Sequence, residues 1–365
     1  MAGSGDPPEG TPEGLPGGGE DEYRSVVFDE SFVRAARLQE LSAQERMGEH
    51  AQAVRRRPAW QPRAGPRHGS LALVLVIAFA LAAAIYAGAR PYHPPPGHRA
   101  EPLRTAIVPL APQGVVPGGE PARLLARSPA AQFRSGAAGI TLPPARSTAH
   151  FSESQVVAAL HTAQEYLVKS ALDPDVLTGE SVRPVRLLLD PEQLEQFDRS
   201  VRSPADDGRH AATGWLVRFD PREVALAGTA VRVRGTLRVE EALPDVLQVT
   251  ADHTFVYAVR PADADSTDRR AGRAESSLFT VRRQTVFRFD RDDLRMHRAE
   301  LVSSHVMAGP QSCSAEPAGA MRPLLAGQRA TQQSPRGTDP YATGRVPASL
   351  CGTLSPRAQP SAPAR

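Results

Sequence analysis

The sequence is short of lysine, asparagine and aromatic residues. Lys169 is its only lysine, asparagine is absent, and 5% of the residues are aromatic. A single lysine leaves no phosphate-binding GxxxxGK loop and no Ser-x-x-Lys pair, and the GxSxG and HExxH motifs of hydrolases are missing too. The sequence therefore favours a protein that is not an enzyme, and it gives no reason to expect a cofactor or a metal.

The sequence also lacks a strong net charge and a cysteine-rich framework. Its 43 basic and 40 acidic residues give a net charge of +3, which predicts no nucleic-acid partner. The basic residues other than Lys169 are arginines, a bias that suggests a high-GC genome and weakens any argument for phosphate binding from arginine content alone. Its two cysteines, Cys313 and Cys351, are predicted to form one disulfide in an oxidising compartment.

One long apolar run is present, from Leu71 to Ala89, and it contains no charged residue. Its length predicts a transmembrane helix at residues 70–89, with the lipid bilayer as a partner. Five arginines between Arg55 and Arg67 precede it, so the N-terminus is predicted to be cytoplasmic and the C-terminal domain extracytoplasmic in a single-pass cell-membrane protein. A signal peptide cleaved after Ala89 is the alternative, which the long preceding segment disfavours.

Residues 1–69 are predicted to be cytoplasmic and mostly disordered, because Gly, Pro and acidic residues dominate their first third. A short amphipathic helix is predicted at 30–47. Phe28, Phe32 and Leu38 give this segment an apolar side, which suits docking to a cytoplasmic protein. A marginal helix that lies on the membrane surface explains the same pattern.

The remainder divides by composition into a Pro-rich tether at 90–149, an α+β domain at 150–309 and a Pro/Gly-rich tail at 310–365 that carries the disulfide loop. A capping box at Ser152 and Gln155 predicts a helix from Glu153 to near Ala171. From Gly214 the apolar period changes from helical spacing to two, which predicts a series of antiparallel strands, with Trp215 to Phe219 as the first and Leu294 to Met307 as the last.

A capped helix followed by long strands that end in VRRQTVFRFDRDDLRMHRAELV resembles an NTF2-like domain, in which a curved antiparallel sheet wraps a helix. The resemblance covers roughly residues 151–309 and rests on architecture rather than on a motif. It implies an α+β fold with one transmembrane helix, an NTF2-like extracytoplasmic domain and disordered tails. The whole layout also resembles single-pass envelope proteins of high-GC actinobacteria.

Two sets of residues are candidates for a binding site. His253 shares a strand face with Tyr257, and in an NTF2-like domain the pair would line a pocket; a hydrogen-bonded core histidine is the simpler interpretation. Arg232, Arg234 and Arg238 form a stripe that suits anionic wall polymers, or else a solvated outer face.

Three functions follow from this organisation. The first is a non-enzymatic, bitopic cell-envelope protein that links a cytoplasmic partner to an extracytoplasmic interaction domain, which binds an envelope protein or a wall polymer. The second is a ligand-binding or catalytic NTF2-like domain with its pocket near His253 and Tyr257. The third is a transmembrane regulator of a cytoplasmic transcription factor. The sequence alone favours the first.

Overall fold

The computed structural model describes residues 76–81, 100–228, 230–262, 275–331, 337–344 and 350–361. Residues 76–81 belong to one compact unit, and the described residues from 100 onwards belong to a second. The predicted amphipathic helix at 30–47, with Phe28, Phe32 and Leu38, lies outside the described residues.

The predicted transmembrane helix at 70–89 is not supported. Residues 76–81 are helical and exposed, and the other residues of the predicted span lie outside the described residues. Across the ranges given above, no helix is both long enough and apolar enough to cross a membrane. This part of the predicted fold class is therefore corrected.

The second unit is built on one sheet, to which the described residues contribute nine strands. The strands are β1 (Arg104–Pro112), β2 (Arg134–Ser135), β3 (Val224–Leu226), β4 (Arg232–Leu243), β5 (Val246–Pro261), β6 (Ser277–Phe289), β7 (Glu300–Gly309), β8 (Gly337–Thr338) and β9 (Gly352–Leu354). Their order is β2-β4-β5-β6-β7-β1-β9-β8, and β3 pairs with β5. The long strands β5 and β6 are rich in Val, Thr and Phe, the residues that a pleated sheet favours.

The sheet is mixed, because β4 to β7 are antiparallel whereas β1 runs parallel to both β7 and β9. The predicted NTF2-like fold, a helix on a curved antiparallel sheet, is therefore wrong. The difference begins with β1, which comes from the predicted tether at 90–149. Burial of Val108 and Leu110 stabilises this strand although the segment is rich in proline. Its pairing with β7, almost two hundred residues away, leaves no trace in local periodicity.

Seven short or medium helices accompany the sheet in the described part of the second unit. They are α1 (Pro121–Ala126), α2 (Glu153–Ala171), α3 (Pro174–Thr178), α4 (Arg183–Arg186), α5 (Leu194–Arg202), α6 (Ala212–Trp215) and α7 (Arg291–Met296). Helix α2 begins at the predicted capping box, and both of the box's hydrogen bonds are present. Its buried stripe, which includes Val156, Leu160, Ala163 and Leu167, packs into the main core against the sheet.

Two local predictions differ from the structure. Trp215 ends helix α6 and is not the first residue of a strand, because residues 212–215 make a helical turn whose tryptophan packs edge-to-face on Phe197. The last predicted strand, Leu294 to Met307, is shorter: Asp290 caps α7, and His297 ends that helix with a φ of 52°. The strand β7 begins only at Glu300.

A buried arginine connects the sheet to these helices. The guanidinium of Arg283, on β6, is fully buried. It donates hydrogen bonds to Ser170 Oγ (2.8 Å), Gly214 O (3.1 Å) and Trp215 O (2.8 Å). Trp215 O also accepts a hydrogen bond from the hydroxyl of Tyr166, at 2.7 Å. Strand β6 is thereby fastened to the ends of α2 and α6, and burial lowers the pKa of Arg283.

The C-terminal tail covers part of the second face of the sheet. Tyr341, Leu354 and Ala358 belong to a second apolar cluster that includes Val256 on β5 and Met307 on β7. The predicted disulfide between Cys313 and Cys351 is confirmed, with a Cα–Cα distance of 5.6 Å. It joins the segment after β7 to the residue before β9, and so holds the tail beside β1.

Replacing Arg283 with Met is expected to lower the free energy of unfolding by about 3 kcal/mol, because three buried acceptors lose a donor. Urea denaturation followed by near-ultraviolet circular dichroism measures the change. Arg238→Met, the same substitution at an exposed position of β4, is the control and should change the stability by no more than about 0.5 kcal/mol. Equal effects of the two substitutions would contradict the proposed role of Arg283.

Replacing both cysteines with serine should lower the free energy of unfolding by about 3 to 4 kcal/mol, because the disulfide closes a loop across 38 positions. Thermal and urea denaturation of the oxidised protein and of the Cys313→Ser/Cys351→Ser variant measure the loss. A reductant should reproduce it in the unsubstituted chain and have no effect on the variant. An unchanged denaturation midpoint in the double variant would contradict this prediction.

Candidate functional site

The second face of the sheet has a covered half and an open half. In the covered half, Thr254, Val256, Thr280, Arg282 and Met307 are buried. In the open half, most outward side chains are exposed or half-buried, although Glu300, the strand partner of Arg288, is buried. We call this half the open polar face, and it comprises Arg104, Ala106, Thr236, Arg238, Glu240, Gln248, Thr250, Asp252, Gln284, Val286, Arg288, Ser303 and His305.

Strand register places these side chains in rows across the sheet. Thr236, Asp252, Gln284 and His305 are successive partners on β4, β5, β6 and β7. The next row runs from Arg238 through Thr250 and Val286 to Ser303. Because alternate residues of a strand point to the same face, both rows present their side chains on one side. The result is a continuous array of hydroxyl, amide, carboxylate and guanidinium groups.

The tail forms the rim of this array. Asp252 accepts two hydrogen bonds from Arg282, at 2.8 and 2.7 Å, and one from Gln284 at 3.0 Å. Arg282 and Gln284 also donate to the carbonyl oxygen of Gly344, at 2.6 and 2.8 Å. Burial alone would raise the pKa of Asp252, but the hydrogen bonds from Arg282 and Gln284 lower it, so the carboxylate is ionised and engaged.

A shallow pocket of about 360 Å³ lies where the open polar face meets the rim. Its lining consists of Thr236, Arg238, Thr250, Asp252, Gln284, Thr343 and Gly344. Arg238 makes no hydrogen bond or ion pair with a described residue, and its side chain is exposed. The pocket therefore offers donors and acceptors on a polar floor, an arrangement suited to hydrogen bonding with a hydrated ligand.

The predicted arginine stripe divides between two roles. Arg232 donates to Phe133 O at 2.9 Å, and the guanidinium of Arg234 lies 4.6 Å from the centre of the Phe133 ring. These two arginines hold the segment that follows α1. Only Arg238 reaches the open polar face, so the stripe does not act as a continuous basic surface.

His253 and Tyr257 lie on the opposite face of the sheet, in the main core. They are 0% and 1% exposed, and the Tyr257 hydroxyl donates to Ala171 O at 2.8 Å. The imidazole of His253 packs over Gly235, where a Cβ would collide with the ring. Neither residue lines the pocket described above. The predicted site at His253 and Tyr257 stays a prediction, and their close packing gives it no support.

Both ring nitrogens of His253 lack a hydrogen-bond partner among the described residues. Burial lowers the pKa of His253 to about 4, although the charge of Asp252 acts in the other direction. Sequence reasoning anticipated a desolvated imidazole here, but it could not anticipate that Gly235 makes room for the ring.

A group of carboxylates near α7 has a structural explanation. Asp290 accepts hydrogen bonds from the backbone of Asp292 and Asp293 as the N-cap of α7, and Asp190 caps the turn at Pro191–Gln193. Burial, together with repulsion from Asp290 and Asp190, raises the pKa of Asp293 to about 8. Within the described residues, no group of three or more His, Cys, Asp or Glu side chains is placed to hold a metal ion.

Sequence reasoning did not identify the open polar face. Its signal was present in β5, where Gln248, Thr250 and Asp252 alternate with apolar residues. Such alternation shows that a sheet face is polar, but not which part of that face the distant tail covers. No pattern in the sequence marks Thr343 and Gly344 as members of the site.

The chain matches no family model, no curated protein and no solved structure at the level of a significant similarity. The resemblance to actinobacterial envelope proteins therefore stays a prediction, and function has to be inferred from the site.

Replacing His253 with Leu should remove a pH-dependent loss of stability. The unfolded imidazole titrates near 6.5 and the folded one near 4, so the unfolded state takes up a proton as the pH falls through this window and the native chain loses stability. We expect the variant to gain about 1 to 2 kcal/mol relative to the native chain between pH 7.5 and pH 5.

Urea denaturation at the two pH values measures this difference. The matched control is His305→Leu, the same substitution at an exposed position of β7. An identical pH profile for the native chain and His253→Leu would show that the native imidazole titrates as in the unfolded chain.

Proposed function

We propose that this chain is a non-enzymatic binding protein that acts outside the cytoplasm and attaches to a hydroxyl-rich wall polymer through the open polar face. The observation that carries this proposal is the face itself: adjacent strands β4, β5, β6, β7 and β1 present polar side chains at the surface with no apolar centre.

The composition of the face favours a polymer over a protein partner. Stable protein interfaces have an apolar core, enriched in aromatic side chains and depleted of charged ones. Only Val286 and Ala106 are aliphatic on the open polar face, and it has no aromatic residue. Its hydroxyl, amide and charged groups suit the hydroxyl and carboxylate groups of a polysaccharide. Because these groups are at the surface and exposed to water, one repeating unit binds weakly, and many copies along a polymer supply the affinity.

The polar groups at the rim support a binding role rather than a catalytic one. Asp252, Arg282 and Gln284 use their hydrogen bonds to hold one another and the Gly344 carbonyl. General acid or base chemistry needs a group that is free to exchange a proton with a substrate, whereas the carboxylate of Asp252 is held ionised by its partners.

The disulfide supports a location outside the cytoplasm. The bond between Cys313 and Cys351 holds the tail that forms the rim of the open polar face. Disulfides persist in oxidising compartments and are rare in reducing ones. A site whose edge depends on this bond is therefore suited to the cell exterior.

The test is sedimentation of the full chain with insoluble cell-wall material prepared from a high-GC actinobacterium. Arg238→Glu/His305→Glu places two acidic groups on the open polar face and should reduce the bound fraction by about fivefold, or about 1 kcal/mol in binding free energy. The matched control is Arg199→Glu/His161→Glu, which changes the same residue types at exposed positions of helices α5 and α2.

We expect the control variant to sediment with the wall material like the native chain, and the variant of the open polar face to sediment less. If both double variants sediment like the native chain, the open polar face does not bind the wall. If neither variant nor the native chain sediments, the polymer assignment is wrong.

A further inference from the structure

A second pocket lies on a different part of the domain and shares no lining residue with the open polar face. Its volume is about 280 Å³. We call it the Arg218 pocket, and its lining includes Thr178, Gly179, Arg218, Asp220, Arg222 and Ala320. The space is large enough for several water molecules or for a small organic acid.

The backbone around Arg218 is fixed on three sides. Val217 N–H donates to Ser170 O at 2.8 Å, and Phe219 N–H donates to Leu177 O at 2.8 Å. On the other side, Met321 N–H donates to Arg218 O at 2.7 Å. The side chain of Arg218 is therefore projected into the pocket from a rigid base, which lowers the entropic cost of binding a ligand.

Gly179 leaves room for the side chain of Arg218. It ends helix α3 with a φ of 78°, a conformation that other residues rarely adopt. A Cβ at this position would lie 3.4 Å from Cδ of Arg218 and 3.8 Å from Nε. The aliphatic part of the Arg218 side chain thus lies against Gly179, and Arg218 lines the pocket.

The guanidinium of Arg218 has no partner of its own. It is half-buried, yet it makes no hydrogen bond and no close ion pair with a residue that the structure describes. Burial lowers its pKa, and the charge of Asp220 compensates only in part. None of its nitrogens is among the buried side-chain atoms without a partner, so its N–H donors reach solvent and are open to a ligand.

The other charges at the pocket leave an excess of positive charge. Asp220 is engaged by its own turn, where its Oδ1 accepts from Arg222 N–H at 3.0 Å. The Arg222 side chain is 92% exposed, and its Nε lies 3.9 Å from the same carboxylate. Arg322, which follows the strand-like contact at Met321, is neutralised by Glu223 at 3.1 Å. Two guanidinium groups thus face one carboxylate.

We propose that the Arg218 pocket binds a small oxyanion, namely a phosphate or carboxylate group, on the guanidinium of Arg218. Arginine binds such groups with two parallel hydrogen bonds. Arg222 adds a second, solvent-exposed positive charge at the mouth, and its contribution is smaller because water screens it. The bound oxyanion supplies hydrogen-bond acceptors for the N–H groups of Arg218, which no described residue provides.

The experiment is calorimetric titration of the full chain with inorganic phosphate and, in a second arm, with citrate, at an ionic strength kept constant with sodium chloride. The native chain should bind at least one of the two saturably. Arg218→Gln should weaken that binding by about tenfold or more, and Arg222→Gln by about threefold. Arg199→Gln, at an exposed position of α5, is the matched control and should leave binding unchanged.

Preference for phosphate or for citrate distinguishes the two ligand classes, and either supports the site. Arg218→Lys keeps the charge but not the planar fork, so it should also weaken binding, and it serves where Arg218→Gln does not fold. Equal binding by the native chain and the folded Arg218 variants would overturn the proposal. So would a lack of saturable binding of both anions up to roughly 20 mM, since binding weaker than millimolar is worth less than about 4 kcal/mol.

Discussion

The fold depends on the hydrogen bonds of one buried cation. Arg283 lies at the centre of β6, and its three acceptors belong to α2 and α6. Two of them are backbone carbonyls at a short helix, and one of these, Trp215 O, is shared with the hydroxyl of Tyr166. A guanidinium is large enough and has enough donors to reach all three from one sheet position. The helical layer is thus positioned by directional bonds as well as by apolar packing.

The second face of the sheet is covered in a different way. No long helix among the described residues covers that face. The tail, together with α1 and the segment that ends at Phe133, covers half of it. The tail is held there by the Cys313–Cys351 disulfide and by hydrogen bonds from Arg282 and Gln284 to Gly344. The two halves of the face differ accordingly: buried apolar residues lie under the tail, and polar residues lie beyond it. The boundary between them is the place where a pocket forms.

The sequence predicted those elements whose signals are local. The capping box at Ser152 and Gln155 located the start of α2, and strict alternation located β4 and β5. The disulfide followed from the cysteine count and an assumed oxidising compartment. Each of these inferences uses residues that lie near one another in the chain, or a chemistry with only one partner available.

The wrong fold class has a long-range cause. Strand β1 lies in the segment that proline content predicts as a tether, and its partners β7 and β9 are far away in sequence. The NTF2-like prediction is wrong because one parallel strand changes the class of the sheet. The other differences are local: the transmembrane helix was predicted from an uncharged apolar run flanked by arginines, and the described residues contain no helix that meets the requirement. At His297 a left-handed residue ended a helix where alternation indicated a strand.

Three buried or half-buried arginines of this domain differ in the partners of their guanidinium groups. Arg283 is surrounded by neutral acceptors, and Arg282 is paired with the carboxylate of Asp252 at 2.7 Å. Arg218 is half-buried and has neither kind of partner among the described residues. Arg283 has acceptors for two of its three guanidinium nitrogens and lacks one only for Nε, whereas no described residue accepts a hydrogen bond from the guanidinium of Arg218. Its position beside an open pocket, on a backbone held from three sides, is what distinguishes a binding group from an ordinary surface charge.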